Sequence, residues 1–146
     1  MPSVLRNRVF KFRAWDGESM SIINDYPAEL WPVLLSSGED RGVWQVMEWT
    51  GLLDKQGKEI YEGDIVEAWS QGAHARFEVV WRQEGHPCFI LYPAWQNGEF
   101  WHMHGSQESD GTFRDDLKII GNIFETPELS PTRDSESAPA ALDRRG

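Results

Sequence analysis

The chain has little of three things: cysteine, basic side chains and unbroken apolar sequence. Its 146 residues hold one cysteine, Cys88. One cysteine makes no intrachain disulfide and no Cys-only zinc site, which excludes a disulfide-stapled secreted scaffold. Only 14 Lys and Arg stand against 24 Asp and Glu, a formal charge of −10. Binding a nucleic-acid backbone demands clustered Lys and Arg, so direct nucleic-acid binding is not expected. No stretch approaches the roughly 20 apolar residues of a membrane helix. The N-terminal MPSVLRNRVFKFRAW holds no apolar run that fits a signal peptide. A cytoplasmic protein without membrane association is expected, its length suiting one domain with a small appendage.

What is abundant is aromatic: 8 Trp, 7 Phe and 3 Tyr make 12% of the chain. Aromatic and β-branched residues fit half-buried pleated surfaces, and long helix formers at helical spacing are scarce. The expected class is mainly β, a small SH3-like barrel or curled antiparallel sheet with short helical turns. The barrel is an analogy, resting on Gly63-Asp64 ahead of Ile65-Val66. Glycine tolerates positive φ there, and the Asp can bond a nearby backbone N–H.

Short alternating runs between turn signals predict the strands. Phe10, Phe12 and Ala14 alternate with Lys11, Arg13 and Trp15 ahead of Asp16-Gly17. Further strands are expected over 43–50, 64–69, 76–82, 88–95, 99–104 and 119–124. A short helix is expected from Asn24 through Leu30, capped by Asp25 and limited by Pro32. A helical turn is expected from Thr112 to Lys118, and a loop over 36–42. Asp54 to Gly57 reads as a turn. Gly51 and Gly121 suit bends or bulges. Arg13 and Asp16 suggest an ion pair or a turn bond. From residue 130 to 146 the composition shifts to Ser, Pro, Ala and charges, which predicts a disordered, flexible tail.

Asn97-Gly98 is the strongest hairpin signal. A two-residue turn there pairs Trp95 with Phe100, Pro93 with His102 and Leu91 with His104. Phe89, Leu91, Trp95 and Phe100 then share one face, and Ile90, Tyr92, Trp101 and Met103 the other. A sheet in a small domain usually buries one face and wets the other. Two apolar faces mean either cover from another segment, such as Tyr26 to Leu35, or an interface. Ile90, Tyr92, Trp95, Trp101 and Met103 are the candidate interface residues. A homo-oligomer satisfies the pattern as readily as a foreign partner.

Constellations for chemistry are sparse. His102 and His104 fall on one face of a strand, a spacing able to chelate a metal. In the same register His86 and Cys88 project to the opposite face. No four-ligand site then forms within the hairpin, and neither a metal nor a cofactor is expected. Cys88 has no facing base to make it a nucleophile. There is no Gly-rich phosphate loop, Ser elbow or metalloprotease helix, so an enzyme is not expected. Arg76, Arg82 and Arg114 are the candidates for holding a phosphate, with Trp and Tyr available to stack a base.

Charge is uneven. Residues 1–13 carry Arg6, Arg8, Lys11 and Arg13 and no acid, whereas residues 14–75 carry twelve acids and three bases. This is either a solvated surface or an acidic face for a basic partner.

Three stretches resemble the YopX family of phage and prophage proteins. They are Phe10-Lys11-Phe12-Arg13-Ala14-Trp15-Asp16, the long block from Trp49 to Val66, and Ile120-Gly121-Asn122-Ile123-Phe124-Glu125-Thr126-Pro127-Glu128-Leu129. Their order and spacing match the family's N-terminal, middle and C-terminal blocks. The resemblance covers most of residues 8–129 and implies a small β domain, placed here at 6–129. Arg13, Trp15, Asp16, Gly51, Gly57, Gly63, Asp64 and Gly121 are its structural motif residues. Segments 21–42 and 70–117 vary from the family and are where a specific function is expected to sit. The family supplies no catalytic residues. Together with the acidic charge it implies a non-catalytic accessory protein in the bacterial cytoplasm that binds a host protein, such as a defence component or a nucleic-acid enzyme. A trap for a small nucleotide signal is the alternative.

Overall fold

The alternating run around Phe12 forms β1 (Phe12–Trp15), which turns through Asp16 and Gly17 into β2 (Met20–Ile22). The Asp16 carboxylate accepts the N–H groups of Glu18 and Ser19, each at 2.8 Å, and so closes the turn. The structure, a computed structural model, describes residues 9–25, 27–30, 32, 44–70 and 73–131. Nine further strands follow among the described residues: β3 (Gln45–Leu53), β4 (Glu59–Tyr61), β5 (Asp64–Ser70), β6 (Ala73–Arg82), β7 (Cys88–Gln96), β8 (Glu99–His102), β9 (Ser106–Gln107), β10 (Phe113–Arg114) and β11 (Lys118–Asn122).

The strands form two sheets. In the first, β3 is shared by three neighbours. Its first half pairs antiparallel with β1, which pairs on with β2. Its second half pairs antiparallel with β4, and Leu53 lies opposite Arg114 of β10 in parallel. β9 pairs antiparallel with β10. The second sheet is antiparallel throughout, in the order β11-β5-β6-β7-β8.

The main core lies where β3 and β4 meet one face of the second sheet. It joins Ile60 to Val66, Phe77, Val79, Phe89, Leu91, Ala94 and Leu117, with Leu52, Trp101, Met103 and Ile119 packed against it. The opposite face of the second sheet buries Val80, Ile90, Tyr92 and Phe100. A small third cluster holds Ala14 and Ile23 between Phe12, Trp44 and Val46.

The mainly-β expectation holds, but the sheets do not close into a barrel. The shared strand β3 splays its partners instead of passing them round a cylinder. The expected helix over 24–30 becomes two 3-10 turns, Ile23–Asp25 and Ala28–Leu30. The expected turn of helix from Thr112 to Lys118 is replaced by β10 and a bend. There Asp115 N–H bonds the Leu53 carbonyl, which draws the chain along β3 and prevents helical pairing. Ser130 is buried and bonds the Pro127 carbonyl, so packing runs one residue into the expected tail. The expected loop over 36–42 and the rest of the tail, 132–146, lie outside the described residues.

Bulges fall at the two expected glycines. The register between β3 and β4 slips between Trp49 and Leu53, around Gly51 at φ +90. That between β5 and β11 slips between Ile119 and Gly121.

Candidate functional site

Three constellations of side chains are candidates for a function. The first joins the turns of the sequence blocks. Gly63, at φ +89, lets the chain reverse from β4 into β5, and a Cβ there would stand 3.3 Å from Met47 Sδ. The turn puts Asp64 under Tyr61, whose N–H donates to Asp64 Oδ2 at 2.8 Å. Arg13 Nη2 donates to Asp64 Oδ1 at 2.8 Å, and its guanidinium lies over the Tyr61 ring at 4.8 Å. Arg13 therefore pairs with Asp64, not with its sequence neighbour Asp16, which serves its own turn. A residue 51 positions away in sequence and in the other sheet is the partner, not the one three positions on. Both partners are buried. Burial pushes the Asp64 carboxyl up to about 6, against the pull of Arg13 and the Tyr61 N–H. Trp15 stacks on Phe124, with ring centroids 5.8 Å apart.

Two polar residues outside the expected motif set do similar work. Asp54 is fully buried, and its Oδ1 accepts the N–H groups of Gln56 and Lys58 at 2.8 and 2.9 Å. Gly57, at φ +87, completes that turn by donating to the Asp54 carbonyl at 2.9 Å. Asn122 Oδ1 accepts from Phe124 and Glu125, while Thr126 Oγ1 accepts the Asn122 N–H at 3.0 Å. A Cβ on Gly121 would fall 2.0 Å from Thr126 Oγ1, so only glycine fits. These knots are structural, and their carboxylates and amides are consumed by backbone groups, by the Arg13 guanidinium and by the Glu125 carboxylate.

The second constellation is the hairpin of β7 and β8. Trp95 faces Phe100 as the Asn97-Gly98 turn requires, but His102 faces Ile90 instead of Pro93. Five steps back along β7 advance only two along β8. An odd slip exchanges the faces. Phe89 and Leu91 consequently join Trp101 and Met103 in the main core, while Ile90 and Tyr92 join Phe100 on the other face. Of the five candidate interface residues, Ile90 and Tyr92 are buried and Trp101 and Met103 pack on the core. Trp95 is 51% exposed, with its ring edge-on to Phe100 at 4.5 Å. The two-faced apolar pattern is thus used up largely within the protomer.

At the end of this hairpin Arg82 is buried and its donors are taken. Nε and Nη2 donate to the His86 carbonyl at 3.2 and 2.8 Å, and Nη1 is ion-paired with Glu99. Cys88 Sγ lies 3.5 Å from Nη2, and His102 Nε2 lies 3.4 Å from it. The Phe100 N–H and Arg82 hold the Glu99 carboxyl below its usual range. His102 is drawn to this cluster, whereas His104 is exposed and its own N–H donates to Asp115. Among the described residues no group of three His, Cys, Asp or Glu side chains is placed to hold a metal ion. The three candidate arginines do not converge. Arg76 is exposed opposite Glu67 on β5, Arg82 sits at the far end of β6, and Arg114 belongs to the other sheet.

The third constellation is a groove of about 590 Å³ over the middle of β3, which the sequence did not announce. Val9, Trp49, Leu53 and Phe113 supply its apolar walls, and the ion pair of Lys11 with Glu59 crosses one side. The Lys11 ammonium stands 5.0 Å from the centre of the Trp49 ring. Trp49 is fixed by its Nε1–H, which donates to the Leu52 carbonyl at 3.0 Å. Val9 and Phe113 remain 61% and 44% exposed at the rim. The signal in the sequence is that Trp44, Val46, Met47 and Trp49 give the expected strand over 43–50 apolar character on both faces.

Fold and sites define a two-sheet β protein whose turns are tied by buried Asp and Asn side chains and which carries an apolar groove. The profile described as YopX protein matches residues 28–130, and the chain belongs to the YopX family. Protein EF1440 from Enterococcus faecalis shares its fold at 24% identity and a TM-score of 0.51, covering 84% of this chain and 99% of that one. Protein yopX from Bacillus subtilis is 19% identical at a TM-score of 0.44, covering 82% of this chain and 96% of that one. No curated protein matches the sequence.

Proposed function

We propose that this chain is a phage- or prophage-encoded accessory protein that acts in the bacterial cytoplasm by holding a host protein, not by catalysis. The observation that carries this reading is the groove over β3, with Val9 and Phe113 left open at its rim. Exposed aromatic and aliphatic side chains around a concavity are what a protein partner's anchor residue fills. The polar pair at its side, Lys11 and Glu59, is satisfied by itself and offers no free reacting group. With a net charge of −10, the fitting partner is a basic protein segment carrying one bulky apolar side chain. The alternative, a nucleotide-signal trap, needs a concave pocket where aromatics meet one of Arg76, Arg82 or Arg114. Arg82 shares a small pocket with Trp95 and Phe100, but its donors are held by the His86 carbonyl and Glu99.

The test begins with capture of a partner from host lysate and purification of that partner. Its affinity is then measured for the wild type, Phe113→Ser and Val9→Ser at two salt concentrations. The reading expects at least tenfold weaker binding by Phe113→Ser and slower association at high salt. Equal affinity for all three proteins would reject the groove as the contact.

A further inference from the structure

Lys11 is an occupant of the groove over β3 as much as a part of its wall. Its ammonium stands 5.0 Å from the centre of the Trp49 ring and is ion-paired with Glu59. Lys11, Trp49 and Glu59 all line the same cavity. The two groups that receive the ammonium are held in place by others. The Trp49 Nε1–H donates to the Leu52 carbonyl at 3.0 Å. The Tyr61 hydroxyl donates to Glu59 Oε1 at 3.1 Å, and Oε2 is the oxygen that meets Lys11. A fixed indole face beside a fixed carboxylate is a seat for a cation, because the ring quadrupole and the negative charge attract the same positive group.

The cation now in that seat is lightly held. The Lys11 and Glu59 side chains keep 37% and 32% of their surface exposed. Ion pairs this open contribute little, because water screens them and two long side chains lose freedom in making them. The strand does not depend on the ammonium, since the Lys11 carbonyl accepts the Trp49 N–H at 2.9 Å. A guanidinium suits the seat better. It stacks flat on an indole and offers a planar fork of donors to a carboxylate, where an ammonium is a point charge. Leu53 and Phe113 line the cavity beside the seat, and their apolar surface suits the methylene stem of such a side chain.

We propose that the groove is a seat for an arginine side chain, that Lys11 fills it in the free protein as an internal stand-in, and that the partner's arginine displaces Lys11 on docking. This rests on the reading of the groove as a protein contact and names the cation that the contact takes. The net charge of −10 draws a basic segment toward the surface. Trp49 and Glu59 then select the planar cation within it, while Lys11 keeps Glu59 paired until that cation arrives.

The test titrates the whole chain with N-acetyl-arginine amide at constant ionic strength, while NMR follows the Trp49 indole N–H. Lys11→Ala empties the seat and should bind this probe about tenfold more tightly than the wild type, and Glu59→Gln in that background should cancel the gain. The blocked amide of lysine should bind more weakly than that of arginine. The blocked amide of norleucine, a stem without charge, should not bind. The wild type gives a second measurement that needs no variant: the arginine probe should shift the Trp49 resonance saturably and the norleucine probe should not. Equal binding of arginine and norleucine would reveal a plain apolar slot and overturn the proposal. No saturable shift in a folded Lys11→Ala protein, or a shift that Glu59→Gln leaves unchanged, would overturn it as well. These readings use no captured partner, so they fail separately from the protein contact. A partner that loses affinity with Phe113→Ser while the arginine probe does not bind would keep the contact and reject the arginine.

Discussion

Asp54 Oδ2 accepts the Ile119 N–H at 3.0 Å, across 65 positions of chain, while its other oxygen holds the turn that follows it. One carboxylate thus binds the turn between β3 and β4 to β11 of the second sheet. Asp54→Ala leaves three backbone N–H groups without their acceptor. At about 1 kcal/mol or more for each orphaned donor, the loss should reach about 3 kcal/mol. Urea unfolding measures it, and Asp54→Asn should lose less, because its one carbonyl still accepts.

Asp64 gives a pH dependence of definite sign. Its folded carboxyl titrates near 6, above the 3.8 of an unperturbed Asp, so the folded state holds the proton more tightly than the unfolded state. The stability it contributes is present below about 4 and is lost as pH rises through 6. At about 1.4 kcal/mol per unit, the loss is at most about 3 kcal/mol. Asp115 is also raised by burial and adds slope of the same sign. The measurement is therefore the difference between the wild type and Asp64→Asn from pH 4 to 7. It should fall across that window and level above it. A flat difference would contradict the assignment.

Gly121 is fixed by its neighbour and not by its φ. Gly121→Ala drives a Cβ into Thr126 Oγ1, 2.0 Å away, and should cost about 1–3 kcal/mol as overpacking. Thr126→Gly alone loses the bonds to Asn122. In the double variant the Gly121→Ala penalty should shrink, a coupling that thermal melts of the four proteins would reveal.

The slipped hairpin separates residues that look alike in sequence. Ile90→Ala empties a fully buried site and should cost about 2–5 kcal/mol. Trp95→Ser, at a half-exposed rim, should cost about 1 kcal/mol or less. Comparable losses at both positions would mean that Trp95 is as buried as Ile90.

Most strands were legible because aromatic and β-branched residues alternate with polar ones, and the turns because Gly and Asp mark them. The hairpin faces were not. Asn97-Gly98 fixes pairing beside the turn, but nothing in Tyr92-Pro93-Ala94 announces that the chain steps out of register there. Of the ion pair or turn bond expected of Arg13 and Asp16, the turn bond forms at Asp16, whereas the topology carries Arg13 to Asp64, which near neighbours in sequence do not show. The groove escaped for a related reason. Val9, Trp49 and Phe113 come from three distant segments that meet only once β3 has its partners. Single-residue strength was legible, and convergence was not.

The parallel contact of Leu53 with Arg114 has a kinetic meaning. The intervening chain contains four of the five strands of the second sheet, β5 to β8, and those four pair with their antiparallel neighbours through short connections. Local hairpins form in microseconds, whereas a long loop must bear its closure entropy before its contacts form. Contact order alone thus predicts that β5 to β8 pair before β10 docks onto β3. Because Phe113 belongs to β10, the groove lacks one of its four apolar wall residues until that strand docks.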